Sequence, residues 1–282
     1  YVWDAVSGQR LFAASGHADD VNDVAWGPDG SYLLTAAADA TARLWDASPG
    51  DALHTLAHGD WVNGAAWSAD GSRVLTWSRD GTACLWDAAT GALLLTLSGH
   101  SDWVSGAAWS PDETRLLTWS WDSTARIWDA ASGAPLLTLT HQGRVNGGRW
   151  NADGTRVLTW ANDGQTRVWD AASGAQLLAV TDLVTDITGA AWSPDETRLI
   201  TAARRSARVW DLSGPVPEEV LLLSGHTGTV EFAAWTADGA RLITAARDGT
   251  VRLWDAATGG EIMVLSAHEG AVTGVFPSPD GA

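Results

Sequence analysis

His100, Thr118 and Asp122 bring an imidazole, a hydroxyl and a carboxylate into one short stretch. Those are the groups of nucleophilic catalysis, in which a base withdraws a hydroxyl proton and an acid orients the base. An active site is needed once, however. The same three types recur at the same spacing as His17/Thr35/Asp39, His58/Thr76/Asp80, His141/Thr159/Asp163 and His226/Thr244/Asp248. Repetition marks them as framework. Histidines come one per repeat and Cys84 is the lone cysteine, so no cluster has metal-ligand spacing and no metal site is expected. His54 falls outside the pattern and reads as an exposed residue. Glycines sit mostly in Gly-His and Asp-Gly turns rather than in a phosphate-cradling loop. Lysine is absent, all 17 cations being Arg, which removes Schiff-base chemistry. Carboxylates abound, but none stands apart as a general acid–base pair. The chain is therefore expected to be non-enzymatic, with no catalytic residue and no cofactor.

The elements that hold these residues follow from a period. Trp-Asp pairs begin at Trp3, Trp45, Trp86, Trp128, Trp169, Trp210 and Trp254, with spacings of 42, 41, 42, 41, 41 and 44 residues. Such a period indicates a solenoid or a propeller. Within residues 99–139 the apolar runs 103–109, 115–120, 124–128 and 135–140 are separated by turn residues. Runs this short are strands, because helices need ten or more residues. Four strands per unit make one propeller blade. The repeat covers the whole chain, so a single all-β domain over residues 1–282 is expected.

Gly-His, a strand-two Thr, a turn Asp and Trp-Asp coincide in several units, and on these residues the chain resembles the WD-repeat β-propeller family. The resemblance implies that His, Thr, Asp and Trp of one blade form a hydrogen-bonded structural network. It also implies seven blades of four antiparallel strands, the last closed by N- and C-terminal strands: its first strand from residues 271–276 and its outer strands from 1–14. About eleven residues, including that blade's second strand, are missing by alignment with the other copies. Either a longer parent polypeptide or another segment would supply them, the latter allowing self-association. Blade five departs from the pattern, with Leu183 in place of His and Arg204-Arg205-Ser206 in place of the Asp turn. It is expected to lack the network and rely on packing.

The net charge of -17 argues against nucleic acid, which needs clustered cations. Nineteen of the 27 Asp fall at three recurring positions, so acidity belongs mainly to the framework and to solubility. No apolar run approaches a membrane span, and one cysteine allows no internal disulfide. A soluble, cytoplasmic protein without membrane association is expected. Arg-only cation usage suggests a GC-rich bacterial source and a prokaryotic type of repeat.

Function must then lie where the copies differ. In the family, the third and fifth residues after the His and the residue before the turn Asp reach one face. Here they give a cluster on blades two to four: Trp61, Asn63 and Arg79; Trp103, Ser105 and Trp121; Arg144 and Asn146. Trp and Arg dominate binding hot spots, and exposed aromatics ask for an explanation. The expected role is a protein-interaction scaffold or sensor binding a protein or peptide there. Two other roles stay open: a self-assembling module completed by another chain, and a small-molecule or glycan binder. The tryptophans could also simply pack on one another. Trp77, Trp119 and Trp160, next to the network Thr, are read as inter-blade packing. Trp26, Trp67, Trp109, Trp150, Trp192 and Trp235 are read as core framework.

Overall fold

The computed structural model describes residues 1–48, 50–181, 186–266, 268–272, 274 and 275. Among them there is no helix; six four-stranded antiparallel sheets and one two-stranded sheet make the fold all-β. Each four-stranded sheet runs first to fourth strand in chain order, the arrangement of a propeller blade. Blade three is representative: Val104–Trp109, Arg115–Ser120, Thr124–Asp129 and Pro135–Thr140. The two-stranded sheet, Val2–Trp3 with Arg10–Phe12, matches the outer strands of a seventh blade. Of residues 271–276, Thr273 and Phe276 lie outside the described residues, and the others are in no strand. Val272 nevertheless donates its N–H to the Ala246 carbonyl at 3.1 Å, as Val230 does to Arg204 at the preceding junction.

Three recurring aspartates hold the turns that separate the strands. In blade three, Asp112 accepts from the Ser110 hydroxyl (2.6 Å), Asp122 from the Thr124 N–H (2.9 Å) and Asp129 from the Ser132 N–H (2.7 Å). Short acidic side chains bonding backbone two or three residues on are a standard way to fix a turn. Hydrogen bonds from Ser110 and Thr114 hold the Asp112 carboxyl down at about 2, so the framework stays ionised.

Each of the six four-stranded blades carries a β-bulge in its first strand, at Asn22, Asn63, Ser105, Asn146, Thr188 and Glu231. A bulge residue has no cross-strand partner and its side chain is re-aimed. Directly after it, Gly64, Gly106 and Gly147 pair with Trp77, Trp119 and Trp160 of the second strand. These indoles lie over the glycines: a Cβ on Gly106 would sit 2.0 Å from Trp119 Cζ2. Where the second strand has Ala, as at Ala36 and Ala245, the first strand carries Asp23 or Phe232. The large residue can stand on either strand, but not on both.

Packing divides the chain into two compact units, Tyr1–Thr138 and Leu139–Ala282. In both, the core lies between successive blades. The residue directly before the network Thr packs forward onto the next blade, and the one before that packs backward. Thus Leu34 meets Val62, Ala65 and Val74, and Leu75 meets Ala107 and Leu116. In the second unit, Leu158 meets Ile187 and Leu199, and Ile200 meets Val230 and Leu242. Trp77 joins the core between blades two and three, and Trp160 that between four and five. Trp26 departs from its expected core role. It is half exposed, because none of the described residues packs on its side of blade one as blade one packs on blade two.

Gly106→Ala should cost about 1–3 kcal/mol by overpacking, measured by urea denaturation. In a Trp119→Ala background the same substitution should cost little, since blade five pairs Gly189 with Ala202 and leaves room there.

Candidate functional site

Trp61 and Arg79 are adjacent because the Arg79 N–H donates to the Trp61 carbonyl at 2.9 Å. Trp103 and Trp121 are joined the same way at 3.0 Å. Asp60 and Asp102 accept the N–H groups of Trp61 and Trp103, fixing the loops that carry them. The Arg79 guanidinium lies over both the Trp61 ring (3.9 Å to its centroid) and the Trp103 ring (4.0 Å). Trp103 in turn stacks on Trp121, with centroids 4.3 Å apart and planes 28° apart. The result is one ladder across blades two and three: indole, guanidinium, indole, indole. Trp61 is exposed and the other three are half-buried. Each cation–π contact is worth about 0.5–2 kcal/mol and the indole pair about 0.5–1.5, so the side chains preorganise one another.

Beneath the loops lies the repeated polar network. Trp128 Nε1 donates to Thr118 Oγ1 (2.8 Å), which lies 2.8 Å from His100 Nε2, while His100 Nδ1 lies 2.9 Å from Asp122 Oδ2. The equivalent contacts recur in blades one, two, four and six. Among the described residues, no group of His, Cys, Asp and Glu could hold a metal ion.

The WD domain, G-beta repeat family model matches residues 8–46, 50–87, 91–129, 133–170, 180–211 and 217–255. The chain belongs to this WD-repeat family. Nuclear distribution protein PAC1 of Arthroderma benhamiae is 49% identical over 47 residues, 17% of this chain and 10% of that protein. Lissencephaly-1 homolog 1 of Paramecium tetraurelia is 40% identical over 45 residues, 16% of this chain and 11% of that protein. The matched segments thus span about a tenth of these eukaryotic relatives, close to one repeat.

Within this WD-repeat frame the anticipated residues separate into the ladder, the bulge residues and Arg144. Trp61, Arg79, Trp103 and Trp121 form the ladder. Asn63, Ser105 and Asn146 are bulge residues whose side chains bond to strand backbone. Asn63 Nδ2 donates to the Val104 carbonyl of the next blade (2.9 Å), and its Oδ1 accepts from Arg79 Nε (3.3 Å). Asn146 Nδ2 likewise donates to the Ile187 carbonyl (2.8 Å), and the Ser105 hydroxyl to the Trp119 carbonyl (3.3 Å). Asn63 thus steadies the ladder through Arg79, while Ser105 and Asn146 clamp strand backbone elsewhere. Arg144 is exposed in the second unit and accepts the Asn162 N–H at its carbonyl (3.0 Å).

Two further readings change, and one pair of residues is new. His54 is half-buried rather than exposed, with Nε2 3.0 Å from the Ala89 carbonyl, because the fourth strand of blade one leans on a blade-two loop. Blade five keeps part of the network, since Trp210 Nε1 donates to Thr201 Oγ1 at 3.0 Å; Leu183 lies outside the described residues. Glu113 and Glu196, unremarked in the sequence, act as latches. Each stands at positive φ where other blades use Gly (55° and 57°), and accepts a backbone N–H of the preceding blade, from Ala69 and Ala152. Their signal was Asp-Glu-Thr in place of Asp-Gly.

The network also sets an acid limit. Burial alone would raise the Asp122 carboxyl, but hydrogen bonds from His100, Thr124 and the Ser101 N–H outweigh it and hold it well below the usual carboxylate range. The corresponding balance leaves Asp163 at about 2. Burial pushes the imidazoles of His141 and His226 below their usual 6.5, against the pull of Asp163 and Asp248. Both kinds of depressed group stabilise the fold above the unfolded pKa and lose that contribution as pH falls through the folded value. The denaturation midpoint should therefore be flat from pH about 6.5 to about 8, lower at pH 5 and fall again below about 4. A midpoint that rises from pH 7 to pH 5 would contradict the neutral-imidazole network.

Proposed function

We propose that this WD-repeat chain is a non-catalytic interaction scaffold that binds a protein or peptide across the Trp61–Arg79–Trp103–Trp121 ladder. One observation carries the reading: residues that break the repeat are stacked into one accessible surface. The planar guanidinium of Arg79 lies against two indole rings, while Nη1 and Nη2 make no hydrogen bond among the described residues. The ladder thus offers apolar area together with donors for a carboxylate or carbonyl, the combination that makes Trp and Arg binding hot spots. Rigid side chains lose little entropy on association. The His-Thr-Asp sets are spent on internal hydrogen bonds, which supports a role without catalysis. A buried free thiol at Cys84 fits a reducing, cytoplasmic setting. Arg-only cation usage supports a prokaryotic-type repeat.

Peptides selected from a displayed library against the intact protein provide the test. Trp103→Ala should cost about 2–4 kcal/mol of affinity. Arg79→Lys should also weaken binding, because an ammonium cannot replace the planar guanidinium between two indoles. Selected peptides that bind Trp61→Ala, Trp103→Ala and Arg79→Ala as tightly as the parent would contradict the assignment.

A further inference from the structure

The turn between the first and second strands brings a recurring set of residues to the junction with the next blade. An arginine opens the second strand, a tryptophan ends the next blade's first strand, and a third residue follows that blade's turn aspartate. Between blades two and three these are Arg73, Trp109 and Glu113. The Arg73 guanidinium lies over the Trp109 ring (4.7 Å to its centroid), and Glu113 accepts the Ala69 N–H with its other oxygen 3.6 Å from Arg73. Between blades four and five, Arg156 lies over Trp192 at 5.0 Å. Glu196 there accepts from the Ala152 N–H (2.8 Å), Asn151 Nδ2 (3.0 Å) and the Arg156 guanidinium. A carboxylate closes both junctions.

The junction of blades five and six has the same parts without the carboxylate. Arg198 opens the second strand of blade five and Trp235 ends the first strand of blade six, but Gly239 stands where Glu113 and Glu196 stand. Pro194 replaces Ala69 and Ala152, so the backbone N–H that the glutamate accepts is gone as well. A cavity of about 210 Å³ opens there, lined by Pro194, Arg198, Trp235, Asp238 and Gly239 among others. Arg198 makes no ion pair among the described residues, and its Nη1 reaches the Ala256 carbonyl only at 3.4 Å. The aspartates nearby are engaged. Asp195 accepts from the Ser193 hydroxyl (2.6 Å), Asp238 from the Thr236 hydroxyl (2.6 Å), and Asp211, opposite Arg198 across the strands, from Ser213. They do not exclude an anion, because Asp153, Asp195 and Asp170 stand at the equivalent places around Glu196. The junction of blades one and two is also open, but Tyr32 replaces the arginine and stacks on Trp67 (6.3 Å, 30°), so it holds no such cation.

We propose that the cavity between blades five and six is a carboxylate site, taking one acidic group on a short aliphatic stem where Glu113 and Glu196 serve elsewhere. The carboxylate pairs with Arg198, whose planar fork matches two carboxylate oxygens. The stem lies beside Trp235 and over Gly239, where the absent side chain leaves room: a Cβ there would meet nothing closer than Pro194 Cδ at 3.6 Å. A glutamate side chain of a partner protein and a free small acid share this chemistry. Within a blade this turn is at the other end of the strands from the loops of the kind that carry the Trp/Arg ladder, so the two sites are independent.

The test titrates propionate into the whole isotope-labelled protein and follows the Trp235 indole N–H and Arg198 Nε–H resonances. Saturable shifts are expected in the millimolar range, as for a fragment held by one ion pair. Propionamide, which keeps the shape and lacks the charge, should bind at least about tenfold more weakly, the value of a hydrogen bond to a charged group. Arg198→Gln should weaken propionate by a similar factor. Gly239→Glu supplies the carboxylate from the chain itself, at a φ of 69° close to the 55° and 57° of Glu113 and Glu196, and should abolish the response. That variant keeps the test decisive if Arg198→Gln does not fold. Blocked Ala-Ala-Glu-Ala-Ala separates the two sources: binding tighter than propionate assigns a protein side chain, and binding no tighter assigns a free acid. No saturable shift, equal responses to propionate and propionamide, or a response unchanged by Gly239→Glu would overturn the proposal. Trp103→Ala should leave the titration unchanged, so failure here and failure of the scaffold reading are distinguishable.

Discussion

The strand-two threonine hydroxyl is the constraint on which the structure turns. An indole N–H can only donate, so Thr118 Oγ1 must accept from Trp128. In the neutral tautomer that donates from Nδ1 to the Asp122 carboxylate, His100 Nε2 accepts the proton of the same hydroxyl. One chain of hydrogen bonds satisfies four buried or half-buried groups and ties together two strands, the turn between them and the loop that precedes the blade. Leaving any of these groups without a partner costs about 1–3 kcal/mol, which makes the set hard to change singly. Burial of His141 and His226, which disfavours the imidazolium, agrees with the same proton arrangement.

A frame held by identical bonds leaves its loops free to differ. The His+3 residue and the residue before the turn Asp are joined backbone to backbone, as in Trp61/Arg79, Trp103/Trp121 and Thr229/Arg247. Their side chains are thereby set side by side whatever their identity. In blades two and three the result is the aromatic–cationic ladder; in blade six it is an ion pair of Arg247 with the bulge residue Glu231. The bulge supplies the steadying contact in both places, because Asn63 and Glu231 both accept from the arginine Nε. Between blades, the apolar pair before each Thr divides its burial, one residue forward and one back.

Much of this was legible in the sequence, because a repeated residue reports its role through every copy. The period, the four short runs and the His/Thr/Asp/Trp sets point to blades without reference to coordinates. The four ladder residues were legible as exceptions to the repeat. What was not legible depends on direction rather than type. Asn63 and Asn146 look like surface donors, but a bulge turns them onto a neighbouring blade's carbonyls. Gly106 looks like any other glycine until Trp119 is seen lying over it. His54 has no repeated counterpart, so nothing in its spacing shows the Ala89 carbonyl it meets. Periodicity reports which strand a residue occupies; where its side chain points depends on the bulge and on the next blade.

The central claim is that repeated residues build the fold and unrepeated residues serve a surface role. Comparing the urea unfolding free energies of Thr118→Val and Trp61→Ala tests it most directly. Thr118→Val deprives Trp128 and His100 of their shared partner and should cost about 1–3 kcal/mol. Trp61→Ala removes an exposed side chain and one cation–π contact, and should cost about 1 kcal/mol or less. A larger loss for Trp61→Ala than for Thr118→Val would contradict the account, because the ladder would then be holding the fold together.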